Sequence, residues 1–354
     1  MTFIRRRQIA VLFAAFIASS SSAAADEGGS KFVFVPYPIT DPAIGNGLLT
    51  GPVWMRPGPE GGAGPSKPQA FGVGALWTDG GSRGVIAFDN RAWQDGLWRT
   101  TILVGKADIH FSYPGFSAGE DHARGFTISA DGGSVSAERS LGTGPNSLTI
   151  RMFSAQTSVA FDAAAPEQAA PDIGTATLRG IALGWASDTR DQIFTPSSGQ
   201  AVSAVFTTYP ESIGTSFNAQ ALSLKWTGYR GIGKGVIGLR AKLDMSFGDP
   251  PFFLRPFVSF RGITALRYAG ERATSVEAEY RRPIRPNWDV LVFAGTGSAQ
   301  ADFRGISSSK TVSAAGVGIR FKAVKLFGLT LGLDFAQGPD GLASYIQIGN
   351  AWTN

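Results

Sequence analysis

Apolar and polar residues alternate with a period of two along much of this chain. Over 220–227, Leu222, Leu224 and Trp226 alternate with Ser223, Lys225 and Thr227. Over 236–245, Ile237, Leu239, Ala241, Leu243 and Met245 alternate with Gly238, Arg240, Lys242 and Asp244. Over 275–281, Val276, Ala278 and Tyr280 alternate with Ser275, Glu277, Glu279 and Arg281. Leu329, Leu331, Leu333 and Phe335 run against Gly328, Thr330, Gly332 and Asp334, and Ile346, Ile348 and Trp352 against Tyr345, Gln347 and Gly349. Successive side chains on a strand point to opposite faces, so each run predicts a strand with one apolar and one small, polar or charged face. The N-terminal half is less regular. Strands are expected there near 44–55, 71–78, 84–93, 97–107, 124–131, 148–157 and 176–186. Segments 56–69, 112–122 and 163–174, rich in Gly, Pro, Ala or charge, read as longer loops. The strand count comes to about fifteen, and bacterial barrels normally have an even number, so one strand is missing or split.

A soluble sandwich shows the same alternation with its apolar face inward. Two features favour the inverted arrangement of a transmembrane β-barrel. Adjacent polar faces carry charges of both signs, as a lumen does. Trp226, Tyr280, Trp288, Phe335 and Trp352 sit near segment ends, like aromatic girdles at a bilayer surface. Residues 1–25 read as a secretory signal peptide: Arg5 to Arg7, a short apolar run from Ile9 to Ala18, then Ala23-Ala24-Ala25 before Asp26. Beyond them no stretch approaches the roughly 18 apolar residues of a membrane helix. A spanning structure must then be a closed barrel, because lipid cannot satisfy open backbone edges. The bacterial outer membrane is the expected location.

Composition sharpens this picture. The 354 residues include 46 Gly, 25 Phe and 8 Trp, and only 17% are charged, which suits β structure with tight turns. With no Cys, disulfides, thiolate metal sites and cysteine nucleophiles are excluded. The formal charge of +5 falls by three to +2 if residues 1–25 are removed, and no basic patch with interleaved aromatics remains, so no nucleic-acid partner is expected.

One segment carries a family resemblance. Residues 254–284 read LRPFVSFRGITALRYAGERATSVEAEYRRPI. Phe260-Arg261-Gly262-Ile263 resembles the long-loop motif of the BamA/TamA superfamily of outer-membrane barrels, the bacterial surface antigen family: a hydrophobic residue, Arg, Gly and an aromatic. Asp188, Arg190 and Asp191, with Phe194, Pro196 and Gly199, resemble its D-x-R-D…F-x-P-x-x-G turn. WDVLVFAGTG from Trp288 resembles its F-x-D-x-G strand, PYPITDPAIGNGL its first strand, and GVGIR…GLTLGLDFAQG…YIQIGNAW its last three. The resemblance implies an all-β antiparallel barrel of sixteen strands over 32–354, with a long loop folded into the lumen and its Arg held by acidic wall residues. Arg261 takes that place; Glu277, Glu279 and Asp334 are the candidate partners. The chain departs from the pattern at Gly295, where the family has Asp, and at Ile263, where it has an aromatic. Residues 26–31 leave no room for the periplasmic POTRA domains usual in the family, so a barrel-only member is expected.

Other chemistry finds little support. Gly115-Phe116-Ser117-Ala118-Gly119 matches a hydrolase elbow but lacks the strand–turn–helix setting that makes such a serine nucleophilic. With only His110 and His122, a histidine metal site is not expected, and Glu120-Asp121 beside His122 reads as a solvated loop. Gly45-Asn46-Gly47 and Gly231 to Gly235 read as turns or strand glycines. Arg240, Lys242, Arg320 and Lys322 could line an anion eyelet, or pair with Asp244, Glu277 and Glu279 in a salt-bridged wall. No catalytic residue, cofactor or metal is expected. The leading function is outer-membrane biogenesis or transport, with lipid and nascent outer-membrane or secreted proteins as partners. A weak seam between first and last strands belongs to that reading. A passive channel, or a lipid hydrolase using Ser117, are the alternatives.

Overall fold

The computed structural model describes residues 31–59, 67–113, 124–162, 175–303, 306–324 and 329–352. Residues 1–25, expected to be a signal peptide, most of 26–31, and Ser117, Glu120, Asp121 and His122 lie outside the described residues. Sixteen antiparallel strands follow one another in chain order in one sheet. They are β1 (Lys31–Asp41), β2 (Gly45–Arg56), β3 (Gln69–Thr78), β4 (Arg83–Trp93), β5 (Trp98–Tyr113), β6 (Arg124–Ser140), β7 (Asn146–Phe161) and β8 (Thr175–Asp188). Then come β9 (Gly199–Tyr209), β10 (Ala219–Ile232), β11 (Gly235–Gly248), β12 (Arg272–Arg285), β13 (Trp288–Phe303), β14 (Ile306–Val324), β15 (Leu329–Gly338) and β16 (Gly341–Ile348).

Exposure along the strands has the sense of a membrane barrel. In β12, Val276 is 51% exposed while its neighbour Glu277 is 1% exposed. Leu239, Val292, Val317 and Phe335 point outward, and Arg240, Asp289, Arg320 and Asp334 are buried inside. Water on both faces would make this arrangement untenable; hydrocarbon outside makes it favourable. The sheet curls until β1 and β16 lie side by side. Each pairs only with its other neighbour; among the described residues no backbone ladder joins the two. The Ile346 N–H donates to Thr40 Oγ1 across that seam at 2.9 Å.

The strand expected but missing from the alternation is β9. It carries Val202 and Phe206 on one phase and Val205 on the other, so its two faces lack contrast. β5, β6 and β7 extend beyond the expected segments. The girdle assignment needs correction: Trp226, Tyr280 and Phe335 sit mid-strand. Trp352 lies beyond β16 and is buried, because Gly349, at φ 77°, turns the chain inward after Ile348. Gly45-Asn46-Gly47 opens β2, with Gly45 at φ 87°, and Gly233, at φ 59°, turns the chain between β10 and β11.

A test of the inside-out pattern is Val276→Arg, which is expected to cost about 2–4 kcal/mol in urea unfolding from lipid vesicles, the range for a cation facing mid-bilayer. A cost near zero would mean that this face meets water.

Candidate functional site

The connection between β11 and β12, residues 249–271, leaves the barrel end opposite the termini and turns back inside. It forms a narrow excursion: the Val258 N–H donates to Tyr268 O (2.9 Å), and the Gly270 N–H to Pro256 O (2.9 Å). At its tip the Ile263 N–H donates to Phe260 O (3.2 Å), closing a tight turn around Arg261 and Gly262. Gly262 has φ 92°, and a Cβ there would come within 2.6 Å of the Ala314 methyl. A side chain at this position would be both strained and obstructed.

The tip delivers Arg261 to the wall. Its Nε donates to Glu277 Oε1 (2.7 Å), Nη2 to Glu279 Oε2 (2.8 Å) and Nη1 to Asp334 Oδ2 (2.9 Å). The guanidinium also covers the Phe293 ring, 3.7 Å from its centroid. Burial opposes the charge, but Glu277, Glu279 and Asp334 outweigh it and hold Arg261 above the usual arginine range. Arg320 binds Asp334 as well, and Arg240 Nη1 lies 3.9 Å from Glu277 Oε2 while donating to the loop carbonyl of Ser259 (3.0 Å). Three arginines thus meet three carboxylates, so the buried cluster carries no formal excess. That balance is the condition under which withdrawn charges are tolerated.

Strand register builds this cluster. Glu277 sits across from Arg240 of β11 and Gly295 of β13, Glu279 across from Phe293, and Asp334 across from Tyr345 of β16. Small residues leave the space. A Cβ on Gly295 would approach the Phe260 ring to 2.8 Å, one on Gly297 would meet Val258 at 2.6 Å, and one on Gly318 would overlap Asp334. An Asp side chain at position 295 is therefore incompatible with this loop; Asp334 supplies a carboxylate from β15. Ile263, in place of the aromatic, packs with Val258, Phe260, Tyr268, Ala299, Val312 and Ala314.

Further contacts fix the loop. The Gly262 N–H donates to Tyr345 Oη (3.0 Å). Asp340, in the β15–β16 turn, accepts from Thr264 Oγ1 (3.0 Å) and Tyr268 Oη (3.1 Å) and pairs with Arg267 (3.0 Å). At its start, Phe252 and Phe253 pack with Phe126 and Phe161 of β6 and β7. The loop therefore reaches across the lumen between two walls. The alternation had put Tyr345 on the inner phase, so its position was legible; Asp340 and Phe293 were not, because nothing local marks them as partners of residues some 30 to 80 positions away.

The four basic residues weighed as an anion eyelet are all paired: Arg240 and Arg320 as above, Lys242 with Asp244 (2.7 Å) and Lys322 with Asp289 (3.2 Å). The wall is salt-bridged. The second motif lies at the other barrel end. Arg190 binds Asp188 through Nε (2.9 Å) and Nη2 (2.7 Å). Asp191 accepts the Ser197 (2.9 Å) and Ser198 (3.2 Å) N–H groups. The Pro196 carbonyl accepts Arg281 Nη2 (2.6 Å), and Gly199, at φ 87°, opens β9. These residues shape a turn that folds inward, and they stand apart from the Arg261 cluster. Beside that turn a cavity of about 440 Å³ is lined by Arg99, Glu138, Arg190, Lys225 and Trp352, among others.

No family model matches the chain, and no curated protein matches it in sequence. Among solved structures, BamA from Haemophilus ducreyi lacking POTRA domains 1–3 superposes with a TM-score of 0.60 at 11% identity, covering 92% of this chain and 71% of that one. CdiB from Acinetobacter baumannii superposes with a TM-score of 0.58 at 10% identity, covering 90% of this chain and 59% of that one. At this identity the likeness is one of fold.

If the glycine at 295 exists to seat Phe260, Gly295→Ala is expected to cost about 1–3 kcal/mol of barrel stability in urea unfolding. Phe260→Ala in the same background should recover part of the loss; an unchanged Gly295→Ala variant would show that the loop does not press on this wall.

Proposed function

We propose that this chain is an outer-membrane barrel whose lumen is stoppered by the 249–271 loop, and that it acts in outer-membrane biogenesis or transport. One observation carries the reading: Arg261, only 6% exposed, is bound by three carboxylates from two strands and ties the loop to the wall. Resemblance to the BamA/TamA superfamily in the loop motif, together with the shared fold, supports a role in assembling or moving proteins at that membrane. The unladdered β1–β16 seam is the natural place for a client or lipid to enter. On this reading the partners are lipid and nascent outer-membrane or secreted proteins, and no catalytic step or cofactor is involved.

The test compares wild type with Arg261→Ala in planar bilayers. Removing the guanidinium leaves three buried carboxylates facing only Arg240 and Arg320, and losing one partner of a buried ion-pair cluster disfavours the docked loop by about 3–5 kcal/mol. That shifts the docked-to-released ratio on the order of a hundred- to a thousandfold. Low, intermittent wild-type conductance that rises sharply in the variant is the expected result. A large, steady conductance unaffected by the substitution would sink the stopper and favour a passive channel.

Because the chain has no cysteine, a second readout is available. Ala299 of β13 is buried beneath the loop beside Val258 and Phe260. An Ala299→Cys thiol should react slowly with a membrane-impermeant reagent in the wild-type background and rapidly when Arg261→Ala is added.

A further inference from the structure

Glu277 has two oxygens and two different clients. Oε1 accepts Arg261 Nε at 2.7 Å, and Oε2 accepts the indole Nε1–H of Trp352. Trp352 follows β16 on a segment that crosses the lumen to β10, β11 and β12, on the wall away from its own strand. Its place is built for it. Gly238 of β11 has no side chain, and a Cβ there would come within 2.7 Å of the indole. The ring lies against Tyr229 (centroids 5.8 Å apart), whose hydroxyl accepts from Asn350 Nδ2 (2.6 Å). The Trp352 N–H donates to Asn350 Oδ1 (3.0 Å), and Lys225 Nζ donates to the Trp352 carbonyl (2.8 Å). At the strand end, the Gly349 N–H donates to Thr330 O (2.7 Å), and Thr330 Oγ1 to Gly349 O (3.3 Å).

We infer that Trp352 is a positioning residue for the Arg261 latch: it fixes the rotamer of Glu277, so the stopper loop and the inward end of β16 share one carboxylate. The inference rests on the stopper reading above and extends it to the seam. The indole is a donor only, and both it and the carboxylate are buried (3% and 1% exposed), so no solvent can replace the bond cheaply. Without the indole N–H, Oε2 faces Arg240 Nη1 at 3.9 Å, too far for a hydrogen bond. The carboxylate would then turn toward Arg240 and away from Arg261. Coupling of this kind is reciprocal: releasing the loop loosens Trp352, and releasing Trp352 loosens the loop. Since no ladder joins β16 to β1 among the described residues, the Gly349–Trp352 segment is what restrains the end of β16 from inside the lumen.

The experiment uses the refolded full chain in vesicles, with the Ala299→Cys thiol reporting loop release. Trp352→Phe keeps an aromatic ring beside Tyr229 and removes the donor. It is expected to raise the labelling rate roughly tenfold. Added to Arg261→Ala, it should give no further increase, because both act through Glu277. Should Trp352→Phe fail to fold, Gly238→Ala displaces the indole with every lumen carboxylate in place and is expected to give the same rise. Wild-type labelling in Trp352→Phe or Gly238→Ala, alongside a large rise in Arg261→Ala, would overturn the coupling and leave the stopper standing. Fully multiplicative effects of the two substitutions would also overturn it. No rise in Arg261→Ala itself would remove the stopper reading instead.

Discussion

A guanidinium withdrawn from water needs acceptors on every side, and in this barrel that need reaches across several strands. Arg261 stands at the tip of a connection that begins after Gly248 and returns to the wall at Arg272. Its three carboxylates come from β12 and β15, strands that only the sheet brings near one another. Breaking a buried pair on one side strands the other charge. The loop, the register of β11 to β16 and the inner wall are therefore held in one arrangement by the same contacts.

The small residues of the wall serve that arrangement. Gly295, Gly297, Gly316 and Gly318 clear a shallow bed in which Phe260, Val258, Phe293 and Asp334 lie. Glycine in a strand usually weakens it, and here its occurrence marks the close approach of another segment. Gly295 leaves β13 without a carboxylate at this point; Asp334 of β15 supplies the acidic contact, and the volume over Gly295 holds the loop's own phenyl ring.

The lumen is occupied from both ends. The long loop fills it from one side and joins the Phe126 and Phe161 wall through Phe252 and Phe253. From the other side come the turn around Pro196, held by Arg281, and the segment carrying Trp352. Glu277 lies where the two sets meet. Such a design keeps the outer face free for lipid, where Val276, Val292 and Val317 project, while polar satisfaction is completed inside.

The sequence by itself determined the strand period and the inward phase of Glu277, Glu279, Asp334 and Tyr345, because side-chain alternation is a property of the extended backbone alone; the Phe260–Ile263 motif stood out by resemblance. It missed β9, whose faces are both mildly apolar, and it placed Trp352 outside by carrying the alternation through Gly349. Tertiary structure alone decided the register that sets Asp334 beside Arg261, the choice among the candidate carboxylates (all three, not one), and the inward path of residues 349–352. Those outcomes depend on contacts between residues up to 127 positions apart, such as Lys225 with Trp352, and no local pattern encodes a distance of that kind.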